Sequence, residues 1–436
     1  MEAVVVGVFL VLFTLEFLTE SGLNEINLRH VQKQYEGRLV PDFLRERLTD
    51  EDYRRSVEYT LAKGRFQRVA LIYGACLALF ILFGGVLPYL DSLSRSFGQA
   101  FPPWLQAHAI IFCLALGLIF SLLSLPLDLF DTFVIEERFG FNKTTPGHDA
   151  SDKLKGLILG ILIGSPFLWG VFWLMEEAGG TWWIWAFLFV LGFELLMVIV
   201  YPTLIAPLFN RFEPLEEGEW RRRIQELADQ TGFKAGGIYT MDGSKRSGHS
   251  NAYFTGLGKA KRIVLFDTLM KEMTLDQGLA VLAHEIGHYR MKHIRRRMVL
   301  QALFLLAGFY LLSLLLGYGP FFRAFGLEPS SHAALVLFAL VSGTFTFFIT
   351  PWLNRLSRKH EYEADRFSAQ TLDSGTPMEE ALVNLTISNL SNLTPHPWYS
   401  AYHYSHPTAA ERITAIRNME PYYASRKEAK GAKQEE

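Results

Sequence analysis

The stretch VLAHEIGHYRMKH, residues 281–293, holds three histidines and a glutamate beside a run of arginines. Thr274 followed by Gln277 forms a capping-box pattern, and Leu279, Leu282, Ala283 and Ile286 recur at helical spacing. The stretch therefore predicts a helix. On it His284 and His288 stand one turn apart and point the same way, so two imidazoles can converge on one ion. Glu285 projects about 100° further round the axis, beside such an ion, where a base must sit to take a proton from metal-activated water. Helices without metal also carry this pattern, with histidines that merely cap a turn or line a membrane end.

A catalytic zinc needs a third protein ligand. His293 stands nine residues after His284, one short of the spacing in HExxHxxGxxH, and no glycine turns the chain before it. It reads as a solvated histidine next to the membrane. The better candidate is RKHEYEADRFSA, where Glu361 and Asp365 lie four apart on one helical face and Glu363 points away. That arrangement lets Glu361 ligate a metal while Asp365 braces an imidazole from behind. A charged helix face held by i,i+4 pairs is the other reading of the same residues.

The elements that must position these groups are unusually apolar. Of 436 residues half are hydrophobic, 14% are aromatic and only 20% are charged, which indicates a membrane protein. The net charge of −2 implies no general attraction to nucleic acid. Cys76 and Cys113 both fall in apolar runs without metal-ligand spacing and read as packed thiols. Stretches long enough to cross a bilayer run over about 3–19, 69–90, 105–127, 154–175, 182–206, 298–317 and 333–353. Lys and Arg crowd the connections 20–68, 128–153 and 207–297 and the C-terminal tail, while 91–104, 176–181 and 318–332 are nearly bare. Seven spans put every basic segment on one face, so the N-terminus is expected outside and the HEIGH segment in the cytosol.

The chain thus divides into an N-terminal membrane region (1–206), a soluble segment with the HEIGH helix (207–297) and spans six and seven (298–353). A C-terminal catalytic segment (354–423) and a disordered tail (424–436) follow. Within 207–297 a helix is expected from Trp220 to Thr231, then strands around Gly237–Thr240 and Arg262–Phe266. His288 is ten residues before the sixth span and Glu361 eight after the seventh, roughly 12–15 Å along a helix. A metal there would be mounted on the inner ends of two spans. Inside the spans, Glu194 and Asp128 should face an interior or a water-filled cavity.

HEIGH followed by EYEAD, together with KRSGHSNAYFTGLGKAKRIVLFDTLM, DTFVIEERFGFN and YHYSHPTAAERI in that family's order, resembles the Ste24-type zinc metalloproteases, the type 1 CAAX prenyl proteases. The resemblance runs from near residue 20 to near residue 420. It implies His284, His288 and Glu361 as ligands of one zinc ion, with Glu285 as general base and acid. The fold it implies is mainly α: seven transmembrane helices enclosing a chamber, with a cytosolic zincin-like domain that contains a small β-sheet. Eukaryotic members often carry an acidic insertion before HExxH, absent here. His406 and Arg412 match family positions near the zinc. Either could stabilise an oxyanion, and for Arg412 an ion pair to Asp365 is equally open. SNAYF suits an edge strand that pairs with an extended substrate, with Asn251, Ala252 and Tyr253 lining the cleft; a buried strand is the alternative for Tyr253. The expected substrate is a peptide or protein, prenylated or otherwise membrane-associated, cut beside the lipid bilayer. A membrane-protein quality-control protease with the same zinc chemistry is the rival reading. The setting would be a bacterial inner membrane or, in a eukaryote, the endoplasmic reticulum.

Overall fold

The computed structural model describes residues 1–41, 44, 45, 47–249, 251–256 and 261–419; the tail expected at 424–436 lies outside them. Six described helices are long and apolar enough to cross a membrane: Glu2–Glu36, Asp50–Phe83, Pro103–Phe139, Pro146–Glu177, Gly179–Leu208 and His293–Leu316. A seventh span is made of two helices, Ser331–Phe347 and Thr350–Thr371, bent by 65°. The sequence suggested one unbroken span over 333–353. The break has a local cause: Pro351 sits in the first turn of the second helix, where its missing N–H costs nothing but could not continue a preceding ladder. The bend sends the polar half of the helix, with Glu361, out of the apolar run.

The first two spans differ from their expected bounds. Nothing between 20 and 36 stops a helix, so the first continues to Glu36 and ends at Gly37. The second begins at Thr49, whose side chain caps Asp52 N–H, and ends at Phe83 before the Gly84–Gly85 pair, with Gly85 at φ 78°. The two extensions pack together outside the apolar stretch. Asn24 donates to the Gly64 carbonyl at 2.9 Å, and a Cβ at position 64 would lie 2.4 Å from Leu28 Cδ2. A larger residue there would have to move the Leu28 side chain.

Between 6% and 17% of each apolar window is buried, far less than a packed bundle would show. The apolar core of the membrane region gathers at the end away from HEIGH: Leu82, Leu87, Phe112, Phe172, Trp182, Leu312, Phe322 and Leu337. The helices therefore converge at one end and stand apart as walls of a chamber toward the other.

The soluble segment closes that second end. Strands β1 (Phe212–Pro214), β2 (Ile238–Met241), β3 (Ala252–Thr255) and β4 (Arg262–Phe266) form one mixed sheet in the order β1-β2-β4-β3. β2 and β4 run parallel, and β1 and β3 are antiparallel outer strands. One face of the sheet packs on helices Glu219–Thr231 and Leu275–Arg290 through Ile224, Leu227, Ile263, Leu265, Leu282 and Ile286. The capping box of Thr274 and Gln277 is formed.

Candidate active site

Helix Leu275–Arg290 supplies His284, Glu285 and His288, and it lies against Thr350–Thr371, which supplies Glu361 and Asp365. Gly287 makes the approach possible: a Cβ there would come 3.1 Å from Phe367 Cβ and 3.2 Å from Ala364 Cα. Buried Ser368 locks the pair by donating to the Ala280 carbonyl at 2.7 Å.

The close crossing brings three chelating groups together. His284 Nε2 lies 3.4 Å from Glu361 Oε2, His288 Nε2 lies 3.3 Å from Glu361 Oε1, and the two Nε2 atoms are 3.1 Å apart. Glu361 is 2% exposed, and its Oε2 has no hydrogen-bond partner. A buried carboxylate oxygen without a donor is expensive. Two imidazole nitrogens and a carboxylate converging on one point match a zinc donor set, so these residues fit the ion that the motif implies.

Behind the cluster, His284 Nδ1 meets Asp365 Oδ1 at 2.8 Å. Asp365 in turn accepts from Arg412 Nη2 at 2.6 Å and Nε at 2.8 Å. This decides the geometry of Arg412: two of its donors are committed to Asp365, and Nη1 stays 3.8 Å from Glu361 Oε2. Burial disfavours a charged His284, but Asp365 and Glu361 outweigh it and hold the free imidazole's pKa up at about 9. Metal binding would have to displace that proton. Glu285 is pushed up from the usual carboxylate value by burial, opposed by His284 and His288, a direction that suits a proton carrier.

His406 reaches the cluster from the C-terminal segment, its Nε2 3.4 Å from Glu361 Oε1. Its side chain is 64% exposed. The loop that carries it is held by the carboxylate helix: Asn354 donates to the Tyr402 carbonyl at 2.6 Å, and Arg358 to that of Tyr404 at 2.7 Å. A cleft of about 700 Å³ opens here, walled by Glu285, His288, Glu361 and His406 and by residues of the adjoining spans such as Met298 and Phe304.

Asn251, Ala252 and Tyr253 do not wall that cleft. β3 is an outer strand with no second partner among the described residues. Since Asn251 O and Tyr253 pair toward β4, the main-chain groups of Ala252 and Phe254 face the open edge. The Ala252 side chain is buried in the sheet core, so its backbone is what it presents at that edge. Tyr253 points to the other face, its hydroxyl 3.8 Å from Met241 Sδ.

His293 also departs from expectation. It is 2% exposed rather than solvated, because the chain does turn before it. Lys292 takes φ 62°, a left-handed conformation costing a non-glycine residue roughly 1–2 kcal/mol. His293 thereby swings back to His288, Nδ1 to Nδ1 at 3.1 Å, and its Nε2 meets Glu363 Oε2 at 2.8 Å. His360, which sequence reasoning passed over, stacks on it. The signal was there, since His360 and Glu363 are i,i+3 neighbours on one face. Of the intramembrane acids, Glu194 accepts from Gln301 at 3.2 Å and lines a cavity of about 380 Å³, while Asp128 is exposed.

Comparison with known proteins agrees with this architecture. Residues 27–211 match the family described as CAAX prenyl protease N-terminal, five membrane helices, and residues 214–420 match peptidase family M48. The Saccharomyces cerevisiae CAAX prenyl protease 1 is 37% identical over 92% of this chain and 92% of its own. The chain belongs to the CAAX prenyl protease 1 family. A human homologue in that family is 32% identical over 88% of this chain and 90% of its own. The crystal structure of S. mikatae Ste24p superposes with a TM-score of 0.87 at 32% identity, covering 95% of this chain and 98% of that one. Family membership makes the chain a multi-pass membrane metalloprotease that acts on peptide or protein substrates.

Proposed function

We propose that this chain is a zinc endopeptidase that cuts prenylated or membrane-associated proteins near their C-termini, with His284, His288 and Glu361 as the metal ligands. The observation that carries the reading is the buried Glu361 carboxylate, its donorless Oε2 facing His284 Nε2 and its Oε1 facing His288 Nε2, on helices continuous with, or adjoining, membrane spans. When bound, zinc supplies the Lewis acidity that polarises a scissile carbonyl and makes water acidic enough to lose a proton. Glu285, at the cleft wall, takes that proton and delivers it to the leaving amine. Asp365, braced by Arg412, holds His284 in place. His406, exposed at the cleft, is the donor for the oxyanion, and Arg412 acts through Asp365. The open edge of β3 holds the extended peptide by main-chain bonds. The basic connections support a cleft on the cytosolic face, beside the bilayer that anchors a lipidated cysteine.

The test is cleavage of a farnesylated CAAX peptide by the purified chain, with and without a chelator. Cleavage should stop on chelation and return with zinc. Turnover by protein shown to hold no metal would overturn the reading, and failure to cut the prenylated peptide while cutting other membrane-associated substrates would redirect it.

A further inference from the structure

His293, His360 and Glu363 form a second group whose ligand atoms lie within 4.8 Å of one another. Two observations speak against an ion between them. The rings of His293 and His360 stack with centroids 4.0 Å apart and planes 13° from parallel. Ring lone pairs lie in the ring plane, so stacked rings aim them side by side, not at one point. Both nitrogens of His293 are also engaged already, Nε2 with Glu363 and Nδ1 with His288.

We propose that His293 and Glu363 are positioning residues that set the tautomer and ring plane of His288. The proposal rests on His288 being a metal ligand, as assigned above. An ion takes the Nε2 lone pair of a ligating imidazole, which leaves the proton on Nδ1. That N–H needs an acceptor, and the atom 3.1 Å from it is His293 Nδ1. His293 can accept there only if its own proton sits on Nε2. Glu363 Oε2, 2.8 Å from His293 Nε2, accepts from it and so selects that form. A single assignment satisfies the whole row: Glu363 accepts from His293, His293 accepts from His288, and the His288 Nε2 lone pair faces His284 and Glu361. The reverse assignment also puts one proton between His288 and His293, but it sets the His293 Nε2 lone pair against the Glu363 carboxylate and protonates His288 at Nε2, leaving no lone pair for an ion.

The two imidazole ligands are thus braced in different ways. His284 meets a carboxylate directly, at Asp365, whereas His288 reaches one through an interposed imidazole. The left-handed turn at Lys292 brings His293 into line, and the His360 ring fixes its plane.

The full chain in detergent supplies the test, with zinc affinity measured by competition against a chromophoric chelator. His293→Phe keeps the bulk and the stacking but loses the acceptor. Glu363→Ala removes the far end of the row at a side chain 32% exposed, so it spares the core even if His293→Phe does not fold. Both should weaken zinc roughly 10- to 100-fold and shift the visible spectrum of cobalt-substituted protein. Glu363→Gln, whose amide oxygen still accepts, should stay near wild type. Lys359→Ala, which removes only the 3.9 Å surface pair to Glu363, should do the same. Wild-type affinity in Glu363→Ala overturns the proposal, as do two zinc ions per wild-type chain. Failure of the ligand assignment itself shows separately, as undiminished zinc binding by His288→Ala.

Discussion

Glu361 and Glu285 are both glutamates at one cleft, yet their surroundings give them opposite tasks. Glu361 is enclosed, with two imidazoles, His406 and Arg412 directed at its oxygens, so it stays ionised and fit to hold a cation. Glu285 has burial as its leading influence, which favours the protonated form and eases proton exchange. Replacing Glu285 by Gln keeps size and polarity and removes only the basic oxygen. Zinc content should remain one per chain while turnover falls by about 10²–10⁴, as elemental analysis and peptide cleavage on the same sample would show. Retained turnover would remove Glu285 from the proton path. Glu361→Ala should do the opposite and lose the metal itself.

At the scale of elements, the site is a helix crossing. A methyl group at Gly287 would be tight, and two of the atoms facing it, Ala364 Cα and Phe367 Cβ, can yield only if the helix itself moves. Gly287→Ala should separate the helices by a few tenths of an ångström, destabilise the protein by about 1–3 kcal/mol and lower zinc affinity, since ligand distances tolerate only about 0.2 Å. Unchanged affinity would mean that the crossing is softer than its packing indicates. A second junction ties the soluble segment to the membrane region. His249 stacks on Phe141 at 4.1 Å, meets Asn389 at 2.8 Å and lies 3.6 Å from Glu136. The Glu136 carboxylate beside it raises its pKa against the pull of burial. A raised folded value means that the contribution to stability is full below the unfolded value near 6.5 and fades as pH rises through the folded one. The thermal midpoint of wild type, relative to His249→Gln, should therefore be highest below pH 6.5 and lose its margin above it. A margin that does not change with pH would count against the ionised contact.

For the whole molecule, seven spans alternate basic and bare connections, and every basic one ends on the side of the cleft. With Cys76 and Cys113 replaced, a single cysteine at Glu328 should react with an impermeant maleimide from outside intact cells or vesicles. One at Lys153 should react only after permeabilisation. The reverse pattern would place the cleft on the outer face and remove cytosolic tails as substrates. Burial along the spans is sparse, between 6% and 17% of each apolar window. An ionisable group such as Glu194 can then sit at membrane depth, beside Gln301, without being packed away.

Much of this was legible in the sequence because it is local. The capping box at Thr274, the strand at Arg262–Phe266, the one-turn spacing of His284 and His288 and the four-residue spacing of Glu361 and Asp365 follow from helix and strand periodicity. Span number follows from bilayer thickness and the order of charges. Other features needed the tertiary structure, because they depend on which faces meet. Whether Arg412 answers Asp365 or the cleft, and whether Ala252 offers a side chain or only backbone, is set by packing between segments distant in sequence. His293 is the clearest case: spacing argued that nothing turned the chain toward the cluster, and no glycine marked a turn. The packing of two helices holds Lys292 in a left-handed conformation that its own preferences disfavour, and places His293 between His288 and Glu363.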